Sequence, residues 1–339
     1  MPAPTPLRFD ALLALADPAA GEPPCSPLSA QTSLLFDPAA KGSNAAQRER
    51  VIDWLAQLPC PSIALATDAA DAALLAAADV VAADAADAEL LTRAISTAPL
   101  AASVLVQLLR LGEGLPLAAA LTAESLAYAT LQAGPEHRQW LATRQPPNPG
   151  RVEDQGPPVL LQRDGDVLQI RLNRAARRNA MSAEMRDALV EAFALVAADD
   201  SLRAARLSGL GKCFSSGGDL DEFGQVPDAA TGHAVRSLRL PARALLGCAD
   251  RLRVHLHGAC IGAGIELPSF AAHIDADPGA WFQLPELRYG LIPGAGGCVG
   301  IARRIGRQRT AWLALTGRRI GAAQALAWGL VDALLPLPR

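Results

Sequence analysis

Two glutamates and three glycine-rich turns are the parts of this 339-residue chain whose types and spacing could do chemistry. The first turn, Phe214-Ser215-Ser216-Gly217-Gly218-Asp219-Leu220, reads as a strand end followed by a helix start at Asp219. Glycines there permit unusual backbone angles and leave amides free to hold an anion. The plainer alternative is a tight connection with a good cap. The second turn, from His257 to Glu266, repeats the strand-to-helix theme around Gly262-Ala263-Gly264, and its small residues let a ligand approach the backbone. Glu266 sits between Ile265 and Leu267 on an otherwise apolar helix. A carboxylate buried there must be hydrogen-bonded or protonated; an exposed first-turn glutamate, favoured by the helix dipole, is the alternative. The third element is Leu284-Pro285-Glu286 followed by the glycine cluster Gly290 to Gly297. Glu286 after a proline is an acid candidate or an ordinary helix start. The cluster lacks the lysine and Ser/Thr of a phosphate-binding P-loop.

These groups need elements to hold them. Val159–Arg163 and Val167–Leu172 alternate around Asp164-Gly165, which predicts a hairpin. Ser182 is placed to cap a helix carrying Met185, Leu189, Phe193 and Val196 on one face. Ala205–Ser208 and Arg253–Leu256 read as strands, each leading toward a glycine turn. Strand, strand and helix recurring in this way predict an α/β spiral rather than a simple Rossmann sheet.

The three elements, in this order and spacing, resemble the crotonase (enoyl-CoA hydratase/isomerase) superfamily. So do Leu172-Asn173-Arg174 with Asn179-Ala180-Met181, and Leu315-Thr316-Gly317 with Ala323 to Val331. The resemblance covers essentially all of the chain after a linker at Thr143–Pro158. It implies an α/β fold, a crotonase-like spiral of repeated ββα units, here with a mostly helical N-terminal region. It also implies an enzyme acting on an acyl-CoA thioester, with no cofactor beyond the substrate's own coenzyme A, and a homotrimer or hexamer. Carried over by position, the amides of Gly218 and Ala263 would form an oxyanion hole, and Glu266 and Glu286 would be the two hydratase carboxylates. The Gly294 amide would help hold the attacking water. Arg177, Arg178, Ala180, Ser216, Gly217, Asp219 and Leu220 fall where the coenzyme A moiety packs. Hydration uses both carboxylates and double-bond isomerisation can work with one, so the pair favours hydration. Isomerase, dioxygenase, decarboxylase and thioester hydrolase chemistry share the same anion site, and a non-catalytic acyl-CoA-binding protein is the alternative of another class.

Some positions depart from the pattern: Ala175 stands where the family usually has proline after Asn-Arg, His273 where it often has aspartate, and Pro268 lies close behind Glu266. The usual helical tail beyond the position of Val331 is missing, yet Thr97–Ala118, Glu124 and Trp140–Pro146 resemble it, and Pro61–Ala64 and Ala78–Ala82 echo the core around Val254–Ala276. The domains expected are therefore a loosely structured segment 1–44, an Ala-rich, mostly helical region 45–147, and a crotonase core 157–339. The middle region is either a degenerate crotonase copy that supplies tail helices or an unrelated helical domain.

Composition narrows the classes. Half the residues are hydrophobic and 19% are charged, enough apolar material for a buried core. A net charge of −3 at pH 7 and a pI near 6.0 argue against nucleic acid as a partner. Lys41 and Lys212 are the only lysines, so arginine forks or backbone amides must hold any phosphate. The six cysteines form no Cys-x-x-Cys pair, which points to reduced thiols in a cytoplasmic protein without a zinc site. Ser215 and Ser216 lack a Gly-x-Ser-x-Gly elbow, and His255 with His257 lack further metal ligands. Aspartates interrupt the alanine-rich run from Ala64 to Ala83, and the early prolines show no signal-peptide pattern, so no membrane span or leader is expected.

Overall fold

The computed structural model describes residues 5–145 and 155–336. The middle of the Thr143–Pro158 linker lies outside the described residues.

Among its described residues, the segment 1–44 carries two regular elements besides a 3₁₀ turn, with irregular chain between Gly21 and Ser33. Helix α1 (Phe9–Leu15) is followed by strand β1 (Leu34–Phe36), whose three residues are all buried. β1 runs parallel to β2 (Ser62–Leu65), with Leu35 opposite Ile63. Three apolar residues in a row carry no alternation, so a strand covered on both faces is invisible until its partner is known. Between them lies α2 (Ala45–Gln57), capped reciprocally by Asn44 and Gln47. After α3 (Ala72–Ala77), β3 (Val80–Ala82) completes a parallel sheet in the order β1-β2-β3. Four helices follow: α4 (Ala85–Thr97), α5 (Pro99–Gly112), α6 (Leu117–Gln132) and α7 (Pro135–Thr143). No helix among the described residues is long and apolar enough to cross a membrane by itself.

The second half opens with the expected hairpin, β4 (Val159–Asp164) against β5 (Val167–Leu172). Helix α8 (Ala183–Ala198) begins at Ser182, whose hydroxyl accepts from Met185 N. β6 (Ala204–Gly209), α9 (Ala229–Arg239), α10 (Pro241–Leu245), β7 (Leu252–Leu256), β8 (Ala259–Ile261), α11 (Ala263–Glu266), β9 (His273–Ala276) and β10 (Trp281–Gln283) come next. The chain then forms α12 (Gly297–Ile305), α13 (Arg307–Thr316), β11 (Ile320–Gly321), α14 (Ala322–Trp328) and β12 (Ala333–Leu334). Six strands make one sheet in the order β12-β9-β7-β6-β5-β4, parallel apart from the hairpin. A smaller sheet, β11-β10-β8, stands beside it.

Phe9, Leu12, Val51, Leu55 and Leu74 form a cluster of their own, while the later helices of the N-terminal half share a core with the second half. Leu91, Ile95, Leu105 and Leu121 from the N-terminal helices pack in the same cluster as Phe282, Leu291, Ile301 and Leu313. A polar clamp reinforces the seam. Asp79, 3% exposed, accepts from Ser62 N and Oγ at 2.8 Å and from Arg110 at 2.8 and 2.6 Å. Arg307 of α13 approaches Asp79 to 3.7 Å and donates to Ala78 O at 2.6 Å. Breaking a buried ion pair leaves an uncompensated charge, so Asp79→Asn is expected to cost about 3 kcal/mol of stability. Urea melts check this: an unchanged midpoint would show that the clamp contributes nothing.

Candidate active site

The first glycine turn is fixed by a buried asparagine. Asn179 adopts φ +50°, a left-handed conformation that asparagine tolerates better than most residues. Its amide donates to the carbonyls of Leu210, Cys213 and Phe214 at 2.8 to 3.1 Å, and its Oδ1 accepts from Arg174 N at 2.9 Å. Ser215 donates to Asn179 O at 2.7 Å and accepts from Gly217 N at 3.1 Å. Gly217 has φ +88°, and a Cβ there would stand 2.7 Å from Ile261 O, so no other residue fits. Met181 N donates to Gly217 O and Asp219 N to Met181 O, which leaves the Gly218 N–H between them without an acceptor among the described residues. The helix expected at Asp219 is only a 3₁₀ turn, Leu220–Glu222, capped by the Asp219 side chain.

The second turn is laid alongside the first. Ser215 N donates to Ala259 O at 3.3 Å and Ile261 N to Ser215 O at 3.1 Å. A Cβ on Gly264 would meet Ser215 O at 2.7 Å. Gly262 takes φ +50°, and Ala263 then opens α11, so its N–H is one of the unpaired amides of a helix start. α11 ends at Glu266 and continues as a 3₁₀ turn from Pro268, because proline has no N–H to extend the ladder.

Glu266 is 2% exposed. Its Oε2 accepts from Ala295 N at 2.7 Å and Gly297 N at 3.0 Å. Burial pushes this carboxyl up to about 7 against the pull of those two amides. Glu286 begins a 3₁₀ turn after Pro285, and its Oε2 is shut from solvent with no hydrogen-bond partner among the described residues. Burial first, and the charge of Glu266 second, hold its proton affinity well above the usual carboxylate range. The two acids converge on one backbone point. A Cβ built on Gly262 would lie 2.5 Å from Glu286 Oε1 and 3.7 Å from Glu266 Oε1. The structure therefore brings together Gly218, Ala263, Glu266 and Glu286 at adjoining turns.

Gly294 lies in the neighbouring loop, under an aromatic ring that sequence reasoning assigned no role. A Cβ at Gly294 would be 2.1 Å from Tyr128 Cδ2. Tyr128 belongs to α6 of the N-terminal half, as does Glu124, whose carboxylate accepts from Gly296 N at 2.7 Å and Cys298 N at 2.9 Å. The Arg236 guanidinium lies over the Tyr128 ring at 4.6 Å. From α7, Trp140 packs against Phe223 and Tyr289, and a Cβ on Gly218 would lie 3.0 Å from Phe223. The signal for Glu124 was present: it is the one charged residue in α6, LAAALTAESLAYATLQ. Nothing in the sequence says which loop it faces.

The residues expected near coenzyme A are neighbours around the first glycine turn. Arg177 pairs with Asp219, which is 3% exposed. Arg178 is exposed at φ +54° and Ala180 is buried, while Ser216 N donates to Arg178 O at 2.9 Å. Leu220 is 39% exposed beside them. His255 and His257 have no third metal ligand among the described residues.

Residues 162–338 match the family described as enoyl-CoA hydratase/isomerase. Over 180 residues the chain is 34% identical to the mevalonyl-coenzyme A hydratase of Beauveria bassiana, which covers 50% of this chain and 64% of that one. Over 178 residues it is 34% identical to the 2,3-dehydroadipyl-CoA hydratase of Escherichia coli, covering 52% and 69%. The chain thus spans about two thirds of the length of these relatives. A solved enoyl-CoA hydratase/carnithine racemase from Magnetospirillum magneticum shares the fold, with a TM-score of 0.50 at 24% identity over 54% of this chain and 70% of that one.

Proposed function

The chain belongs to the enoyl-CoA hydratase/isomerase family, and from that premise we propose that it adds water across, or removes it from, the double bond of an enoyl-CoA thioester. One observation carries the reading: two buried carboxyls of unequal proton affinity meet at Gly262, beside two amides that donate to no group among the described residues. The unequal affinities suit opposite roles. Glu266, the more easily ionised of the two, takes the proton of the attacking water, which adds to the β-carbon. Glu286, held protonated, delivers its proton to the α-carbon. Negative charge appears on the thioester oxygen between these events, and the N–H groups of Gly218 and Ala263 receive it; each such donor is worth about 3 kcal/mol. The Gly294 amide orients the water. Arg177, Arg178, Ala180, Ser216, Gly217, Asp219 and Leu220 form the rim for the coenzyme A portion, and no further cofactor enters the scheme. Assembly as a trimer or hexamer belongs to the same reading and is open to light scattering.

We also read the N-terminal half as a crotonase copy without catalytic turns. β2 and β3 are parallel neighbours across α3, and β7 and β9 are parallel neighbours across β8 and α11; α6 and α7 touch the loops that carry Gly296 and Tyr289, as covering helices would.

A panel of enoyl-, hydroxyacyl- and arylacetyl-CoA thioesters tests the proposal. Turnover is expected for enoyl- and 3-hydroxyacyl-CoA and not for arylacetyl-CoA. The pH profile should be bell-shaped: activity falls below about pH 7 as Glu266 takes up a proton and falls again at higher pH as Glu286, whose proton affinity burial raises, loses its own. A protein that shifts the double bond without adding water, or that cleaves the thioester, would move the assignment to another chemistry of the family.

A further inference from the structure

We propose that Glu124, carried by α6 of the N-terminal half, is a positioning residue of the active site: it holds the amides of Gly296 and Cys298 and thereby fixes the alternate amides of Ala295 and Gly297 on which Glu266 rests. The inference builds on the reading of Glu266 as the base.

Four successive N–H groups at the start of α12 are divided between two carboxylates. Glu266 Oε2 takes Ala295 and Gly297 at 2.7 and 3.0 Å, and Glu124 takes Gly296 with Oε1 at 2.7 Å and Cys298 with Oε2 at 2.9 Å. Such amides have no partners within their own helix, so they point wherever an acceptor draws them. Moving one of four consecutive peptide planes turns its neighbours, and through them the glutamate they hold. Glu124 is 1% exposed, and the charge of Glu266 adds to the cost of its burial. A buried like-charged neighbour is an expensive way to cap a helix that a serine or asparagine would cap without repulsion. The rest of α6 keeps this face inward. Arg236 donates to Ser125 Oγ at 3.1 Å, to Ser125 O at 3.3 Å and to Gln132 Oε1 at 2.9 Å. Tyr128, one turn beyond Glu124, presses on Gly294 in the same loop.

The test compares wild type, Glu124→Gln, Glu124→Ala, Glu266→Gln and the double variant Glu124→Gln/Glu266→Gln. Glu124→Gln keeps the volume and loses one of two acceptors, so it serves if the alanine variant does not fold. Its kcat for enoyl-CoA hydration is expected to fall roughly 10- to 100-fold with KM changed less than about threefold. The same change should have almost no further effect once Glu266 is Gln, because the group being positioned is gone. A folded Glu124→Gln enzyme with wild-type kcat, or losses that simply multiply in the double variant, would overturn the proposal. Residue-resolved hydrogen exchange supplies a readout independent of turnover. In Glu124→Gln the amides of Ala295 and Gly297 should lose protection together with those of Gly296 and Cys298; loosening of Gly296 and Cys298 alone refutes the coupling. If wild type hydrates no enoyl thioester, the functional reading fails, and exchange alone decides the role of Glu124.

Discussion

Glu266→Gln is expected to lower kcat for enoyl-CoA hydration by about 10³-fold, the scale of a lost general base, and at the same time to make the protein more stable above neutral pH. The glutamine oxygen can still accept from Ala295 N and Gly297 N, so the loop geometry survives. The stability gain follows from linkage. Burial raises the folded-state carboxyl from 4.5 to about 7. Such a group binds its proton more tightly when folded, so its contribution is intact below about pH 4.5 and is lost as pH rises through about 7. The full span corresponds to about 3 kcal/mol. Melting curves of wild type and variant should therefore separate progressively between pH 5 and pH 7.5, on the order of that titration range, with the variant higher. Removing the Glu266 charge also relieves Glu286, whose proton affinity is raised by burial and then by that neighbour. Parallel curves across this range would show that the carboxyl is not perturbed as described, and unaltered turnover would remove Glu266 from the chemistry.

Gly262→Ala is the second large effect. The backbone there has φ +50° and ψ −122°, a region open to glycine and strained for any side chain. The new Cβ would also stand 2.5 Å from Glu286 Oε1, the oxygen that faces Glu266 across this residue. Strain of about 1–3 kcal/mol and displacement of Glu286 act together. Activity should fall by about 10²-fold or more, as expected for a reacting group moved by an ångström. Gly321→Ala is the control: its φ is −83° and a Cβ there meets nothing within 4 Å, so stability and rate should both stay at wild-type values. A folded Gly262→Ala protein with normal kcat would mean that Glu286 works from a position other than this one.

Both predictions concern groups whose identity could be read from one dimension. Gly217, Gly262 and the Ile265-Glu266-Leu267 run announce themselves because positive φ admits few residue types and a carboxyl amid apolar neighbours has few reasons to be there. The hairpin at Asp164-Gly165 and the Ser182 cap were legible for the same local reason: the physics is contained within a few consecutive residues. Strand β1 and the shortening of the helix at Asp219 to a 3₁₀ turn were not, since their outcome depends on what packs beside them.

The amino-acid order alone determined the spiral, the glycine turns and the two acids of the core, because each rests on local backbone chemistry and spacing. The likeness of Thr97–Ala118 and Glu124 to tail helices left cover from the N-terminal half open; only the tertiary structure decided that Glu124 and Tyr128 touch the Gly294–Cys298 loop, more than a hundred residues downstream. A buried contact between distant segments is set by how whole helices share a core, and no local pattern records it.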